Sequence, residues 1–364
     1  MFQHNTLPAS ARTLILKAFG SLVAVILCYK AFSSYHREEL HDFINHASNN
    51  ASITLLHHHG GSECLPQFDS SLIVNESEFV RRSCQQVSPY SLPRARIGTV
   101  TAHFGEPQDH YQKALQTHLL HSLVHDTQLE VMCSPVMDDS AWNKPAFILS
   151  LLLVELMKPA EERLEWLFWV DRDTLILDQC RPISSFLPPD APQDHSYRGR
   201  REDETKHDTH LIVTKDWNGL NAGIFLVRVN QWAIELFSDI LAFRDYNPNV
   251  TLEFAEQSAM EIVMKEPKFQ RHVEDVPWVW FNAYPGDSPA EFEERDSEEG
   301  LEEHHARRGD FLLHFAGRKD KDKVIDGWVE MLRRQKGPWQ PERILRNANA
   351  NIQSFWAQLG HHAD

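Results

Sequence analysis

The sequence predicts an α/β fold whose strands run largely parallel. Three observations carry it. Apolar segments of strand length alternate with segments of helical period, the order between residues 96 and 170 is strand, helix, strand, helix, strand, and the last strand ends abruptly at a pair of aspartates. Parallel strands joined by right-handed crossovers place their loops, and the ligands those loops hold, at the carboxyl edge of the sheet.

Residues 96–101 read as the first strand of the head, and 111–125 as a helix with Leu115, Leu119 and Leu123 on one face. Residues 129–133 are strand again. Lys144 and Pro145 open an apolar helix, the proline suiting a first turn, and residues 164–170 form a buried strand running into Asp171. Residues 222–228 make a later strand, after which Asn230 caps a helix with Trp232, Leu236 and Ile240 inward. Residues 311–315 are a further short strand. Ile344, Ala348, Ile352, Phe355 and Leu359 form the stripe of a helix docking on the head, partner binding being the other reading. Two charged stretches, 188–210 and 287–310, read as solvated loops, with a substrate lid as the alternative for each.

Upstream, residues 13–29 carry a single charge, Lys17, and the stretch extends to Phe32, about the length needed to cross hydrocarbon. They read as a signal anchor, with a cleaved signal peptide as the alternative. The chain then divides into a cytosolic tail (1–12), the anchor (13–32), a polar stem rich in His, Ser and Glu (33–94), a catalytic head (95–335) and a helical C-terminal tail (336–364). Glycan acceptor sequons at Asn50, Asn75 and Asn249 agree with a lumenal head. Cys64 and Cys84 both fall in the stem, where an oxidising lumen would allow them to pair, the pairing itself being left open by the sequence, and His57, His58 and His59 read as solvated stem histidines. None of the five cysteines stands in a CxxC pair, which argues against structural zinc.

A hydrophobic share of 42% with 24% charged residues excludes a wholly disordered or multi-span membrane chain. A formal charge of -16 argues against nucleic acid as a partner, since that affinity rests on clustered basic residues.

The chemistry points to Asp171 and Asp173. Carboxylates at i and i+2 beyond a buried strand share one side of the loop and can hold a hard divalent cation that also binds a diphosphate. A phosphatase of the haloacid-dehalogenase type also places an aspartate after a strand, but Thr174 comes one place early for that pattern and Leu175 stands where its threonine belongs. Walker-type, GxGxxG, HExxH and GxSxG signatures are absent.

Beyond this pair, Asn218-Gly-Leu-Asn-Ala-Gly-Ile-Phe-Leu-Val-Arg228, Asn230-Gln-Trp232, Glu256-Gln257-Ser258, Trp280-Phe-Asn-Ala-Tyr-Pro285 and His314-Phe-Ala-Gly317 stand in order. Together they resemble glycosyltransferase family 34, which includes fungal Golgi α-galactosyltransferases, α-mannosyltransferase subunits and plant xyloglucan xylosyltransferases. The resemblance spans residues 96–332. It implies a GT-A fold with a mixed, mainly parallel sheet flanked by helices, a type II Golgi membrane topology, manganese as cofactor and retention of the anomeric configuration.

By the same resemblance Asp171, Asp173 and His314 would bind the metal. Asp171, Arg172, Asp173, Lys144, Asn221, Gly223, Arg318 and Lys319 would bind the donor. Glu256 and Gln257 would lie below the anomeric carbon as the catalytic pair, and Trp280, Asn282 and Tyr284 would line the acceptor side, a core placement of Trp280 and Tyr284 remaining open. Arg172 departs from the small or neutral residue usual between the aspartates, and Glu256 stands where plant members tend to carry Asp. The implied function is a manganese-dependent retaining hexosyltransferase of the Golgi lumen. It would move galactose from UDP-galactose or mannose from GDP-mannose onto a glycan acceptor, in the company of other glycosyltransferase subunits. The alternative is a non-catalytic structural subunit of a Golgi mannan-synthesising complex.

Overall fold

The computed structural model describes residues 55–67, 69–87, 95–189, 208–335 and 337–360. The segments expected as a cytosolic tail (1–12) and a signal anchor (13–32) and the sequon at Asn50 lie outside the described residues, as does most of the charged stretch 188–210. Among the described residues no helix is long and apolar enough to cross a membrane.

A seven-stranded mixed sheet organises the molecule. Its strands are β1 (Leu56–His59), β2 (Ile97–Ala102), β3 (Gln128–Met132), β4 (Trp166–Val170), β6 (Leu211–Asp216), β7 (Gly219–Arg228) and β8 (Val273–Asp275), in the order β1-β3-β2-β4-β7-β6-β8. The expected strand–helix alternation is present: α2 (Asp109–His125) links β2 to β3 and α3 (Asn143–Met157) links β3 to β4, with β1, β3, β2 and β4 all parallel. β7 then runs antiparallel to both β4 and β6, and β6 is parallel to β8. All five residues of β4 are buried, as a strand covered on both faces requires. On one face α3 and α4 (Gln231–Tyr246) pack Leu151, Leu152, Leu236 and Phe237 against the sheet, and the Asn230 side chain accepts from the amide of Ala233 as the expected cap. On the other face α9 (Asn349–Gln358) docks Ile352 and Trp356 beside Phe168 and Trp280.

The region expected as a stem is instead folded onto the head from residue 55 to residue 87. β1 extends the sheet by pairing with β3, and α1 (Ser70–Val87) buries Ile73, Ser77, Val80 and Cys84. The polar composition has a physical reason: β1 is an edge strand held by ion pairs. His57 Nδ1 and His59 Nε2 each lie 2.7 Å from one oxygen of Glu130 on β3, so two of the three histidines are structural. Burial alone would raise the Glu130 carboxyl, but the hydrogen bonds and charges of the two imidazoles outweigh it and bring it down to about 2. Nor do Cys64 and Cys84 pair with each other. The disulfides are Cys64–Cys133 and Cys84–Cys180, each tying the supposed stem to the head.

The second charged stretch is likewise more than a loop. It contains α7 (Pro289–Glu294), opened by a capping box between Ser288 and Glu291, and it ends in buried Arg307, Arg308 and Asp310. The Arg308 guanidinium donates to the carbonyls of Phe292 and Glu293, which fastens the stretch inward.

Helix α2 buries a polar stripe beside its leucines. His118, His121 and His125 each point Nε2 at the segment that follows β4, toward the carbonyls of Thr174, Arg181 and Gln179, which only a neutral imidazole N–H or an imidazolium can meet. Burial holds His118 down to about 4 and His121 well below its usual value. The unfolded chain protonates both below about 6.5 while the native chain does not, so their contribution is full above that pH and is lost as the pH falls toward 4. Urea unfolding is expected to show a loss of about 2 kcal/mol from His118 between pH 7 and pH 5, with His121 contributing in the same direction. An equal stability at the two pH values would contradict this account.

Candidate active site

β4 delivers Asp171 to the carboxyl edge of the sheet, where its amide donates to the carbonyl of Gly223 at 2.8 Å. The loop turns at once into β5 (Thr174–Ile176), which pairs antiparallel with β9 (Leu312–His314) as a separate two-stranded sheet. That pairing sets Thr174 opposite His314, and the amide of Phe315 donates to the carbonyl of Asp173. It is why residues so far apart in sequence share one site. The Asp171, Asp173 and His314 ligand atoms all lie within 4.8 Å of one another. Thr174 fixes the turn: its hydroxyl donates to the Asp171 carbonyl at 2.8 Å, and His118 Nε2 lies 2.9 Å from the same hydroxyl.

A slip in the sheet shapes the floor. Val213 of β6 pairs with Phe225, but the next residue, Thr214, pairs with Asn221, so Ala222, Gly223 and Ile224 bulge from that ladder toward the end of β4. A Cβ at Gly223 would meet the His314 ring at 2.5 Å, so only glycine fits there. Behind the bulge lies α5 (Glu256–Val263), entered through Ala255 at φ 45°. Gln257 Oε1 accepts from the Ala222 amide at 3.0 Å.

Three carboxylates and three cations line the resulting cavity of about 520 Å³. Lys144 sits over the Trp169 ring, donates to the Ala222 carbonyl, and lies 3.2 Å from Asp171 and 3.4 Å from Glu256. Burial alone would lower its pKa, but the two carboxylates raise it. Lys321 pairs with Asp173 Oδ2 at 2.7 Å, and Arg172 stacks on Tyr111 with 4.3 Å to the ring centroid. Asp173 is only 6% exposed; burial would raise its carboxyl, and His314 and Lys321 instead hold it below the usual range. Formally the lining is balanced. One divalent cation would leave it doubly positive, the sign a diphosphate needs.

The donor set fits such a cation. His314 Nδ1 lies 2.8 Å from Asn282 Oδ1, an acceptor, so whenever the ring is neutral its proton is on Nδ1 and its Nε2 lone pair faces Asp173 Oδ1 at 3.7 Å. Two acceptors facing each other suit a shared positive ion between them. Asn282 in turn donates to the Thr214 hydroxyl, while Tyr284 OH donates to Asp216 and accepts from Asn221 at 2.8 Å. Burial and the Asp216 carboxylate push the Tyr284 hydroxyl far above the usual phenol range.

Nine of the residues expected at the site therefore meet here: Lys144, Asp171, Arg172, Asp173, Asn221, Gly223, Glu256, Gln257 and His314. Five do not. Lys319 is exposed outside the cavity and Arg318 pairs with Asp320, because the chain turns at Gly317 (φ 71°) before α8 (Lys321–Gln335) begins. Lys321, unanticipated from the sequence, takes that place. Trp280, Asn282 and Tyr284 are buried behind the site and do not present an acceptor surface. Trp280 joins the core beneath α9, and its indole donates to Asn351.

Asn282→Ala is expected to weaken binding of a divalent metal ion about 10- to 100-fold by freeing the imidazole tautomer, as loss of such supporting contacts usually does. Asn282→Asp, which still accepts from Nδ1, should keep most of the affinity. Calorimetric titration of both variants checks this, and equal affinities for wild type and Asn282→Ala would refute it.

Two carboxylates and an imidazole thus offer three ligand atoms to a metal ion at the carboxyl edge of a mixed α/β sheet. Residues 124–324, more than half the chain, match the sequence profile of the galactosyl transferase GMA12/MNN10 family, and the chain belongs to it. It is 28% identical over 175 residues to an alpha-1,2-galactosyltransferase of Schizosaccharomyces pombe, covering 42% of this chain and 41% of that one. It is 24% identical over 173 residues to the probable alpha-1,6-mannosyltransferase MNN10 of Saccharomyces cerevisiae, with the same coverage of 42% and 41%. With xyloglucan 6-xylosyltransferase 2 of Arabidopsis thaliana it shares 26% identity over 215 residues, 53% of this chain and 42% of that one. The chain thus spans about two fifths of the length of these curated relatives. A crystal structure of a glycosyltransferase involved in glycosylation of the major capsid of PBCV-1 aligns with a TM-score of 0.44 at 16% identity, over 64% of this chain and 98% of that one.

Proposed function

We propose that this chain is a manganese-dependent, retaining α-hexosyltransferase of GT-A type, moving galactose from a UDP donor or mannose from a GDP donor onto a glycan in the Golgi lumen. The observation that carries the reading is the convergence of Asp171, Asp173 and His314 at a pocket floored by Gly223 and Gln257. A mixed set of two carboxylates and an imidazole suits manganese better than magnesium. Bound there, a divalent cation supplies charge neutralisation at the leaving diphosphate.

The protein's own groups divide the remaining work. Lys321 and Arg172 present positive charge to the diphosphate, and Gly223 lets the backbone lie close to the donor sugar. Retention through a covalent intermediate needs a free carboxylate nucleophile. Glu256 is engaged by Lys144, and the Gln257 carboxamide is held by the bulge and is a poor nucleophile, which supports same-face attack with the departing phosphate taking the acceptor's proton. An intact ligand set also speaks against a purely structural subunit. Two disulfides and the exposed sequon residues Asn75 and Asn249 support a lumenal catalytic unit.

The test is donor turnover by the full chain with manganese across a panel of UDP- and GDP-sugars. Manganese-dependent release of one nucleoside diphosphate is the expected result. No release from any donor, together with no manganese-dependent nucleotide binding, overturns the reading.

A further inference from the structure

Next to the transfer pocket lies a group of aromatic rings that neither the core nor the pocket uses. Trp217 stands in the tight turn between β6 and β7, closed by Gly219 at φ 100°, and is 63% exposed. Trp278, from the segment after β8, and His304, from the far end of the charged stretch, are half-exposed and close around it. Ring centroids are 6.2 Å apart for Trp217 and Trp278, 5.4 Å for Trp217 and His304, and 5.3 Å for Trp278 and His304. Three segments distant in sequence thus converge to hold apolar ring surface in water, which packing of the fold does not require.

The cluster is continuous with the site. Asp216, the neighbour of Trp217, holds the Tyr284 hydroxyl and the Asn221 amide, and Asn221 lines the transfer pocket. Tyr284 lies between the two: its ring is 5.1 Å from Trp217 and stacks 5.8 Å from His314. Two ring-to-ring steps therefore separate the exposed indole from the candidate metal ligand, a span that one or two sugar residues bridge. The occupant that fits is a saccharide. Its axial C–H groups pack on the electron-rich faces of indole and imidazole rings, while its hydroxyls stay in water or meet the polar rim.

We infer that Trp217, Trp278 and His304 form a sugar platform that holds the glycan acceptor beside the transfer site. The inference deepens the transferase reading and rests on it for the word acceptor. Sugar binding is measured apart from catalysis, by ligand-observed saturation-transfer NMR on the full chain in a detergent without a sugar headgroup. The probes are α-mannobiose, α-galactobiose and cellobiose. Saturation transfer to at least one disaccharide is expected, with Kd raised tenfold or more in Trp217→Ala and in Trp278→Ala, and recovered within about threefold in Trp217→Phe, which keeps an aromatic face. Tyr246→Ala, an exposed aromatic on α4 remote in sequence from the cluster, should leave Kd unchanged.

Absence of transfer to all three sugars overturns the platform, as does an unchanged Kd in both alanine variants. Retention of the wild-type thermal midpoint by Trp217→Ala separates lost binding from lost fold. Donor turnover by the wild-type chain is scored independently. A wild type that binds sugar at Trp217 but neither consumes any donor nor binds nucleotide with manganese refutes the transferase reading and leaves the platform standing.

Discussion

Asp173→Ala is expected to lower donor turnover about a hundred- to a thousandfold, the scale on which removal of one preorganised charge-stabilising group acts. Asp173 is committed on every side: Oδ1 faces His314, Oδ2 pairs with Lys321, and its carbonyl accepts from Phe315. Alanine removes a candidate metal ligand and leaves Lys321 without its carboxylate, so the pocket turns cationic where the metal belongs. Asp173→Asn keeps the shape but not the charge, and should be nearly as inactive. Excess manganese should restore neither. Retention of more than a tenth of wild-type turnover by Asp173→Ala would exclude it from the metal site.

The second large effect concerns stability. The Cys84–Cys180 bridge joins residues 96 apart in sequence, and a closed loop of about that size is worth roughly 4–5 kcal/mol in chain entropy. Both cysteines are buried with Val80 and Val124, so alanine at each also leaves unfilled space. Cys84→Ala with Cys180→Ala is therefore expected to lose about 3–5 kcal/mol in urea unfolding. A loss under about 0.5 kcal/mol would mean that the packing of α1 on α2 holds the segment unaided. Cys180 lies shortly after β5, so turnover in the double variant should fall at temperatures well below its unfolding midpoint.

How far the sequence reveals this molecule depends on what holds each element. β4 is legible because it is buried on both faces and every residue in it is apolar, and α4 is legible because Asn230 caps it. β5 and β8, three residues each, carry too few positions for any period. β6 has a strongly apolar start but adjoins the charged stretch and ends in Lys215 and Asp216. The inward stripe of α1 is interrupted by Ser77, and β1 is anchored by histidines on a carboxylate, a pairing with no local signature. At the site, Asp171 and Asp173 announce themselves by position at a strand end. Lys321 does not, because its reach depends on the turn at Gly317. Asn282 sits beside two aromatic residues and invites an acceptor role, whereas its work lies in the tautomer of His314. Trp217 gives no signal, because a lone tryptophan in a turn has no pattern until Trp278 and His304 arrive beside it.

The small β5–β9 sheet also sets a timetable. A chain emerging from its amino end carries both aspartates early, and they remain an ordinary acidic loop until the strand bearing His314 has been made and has zipped onto β5. Capture of cation and donor then waits for the carboxyl-terminal third of the chain. A chain cut short before Leu312 would carry both aspartates yet lack the third ligand, however much of the large sheet it had built.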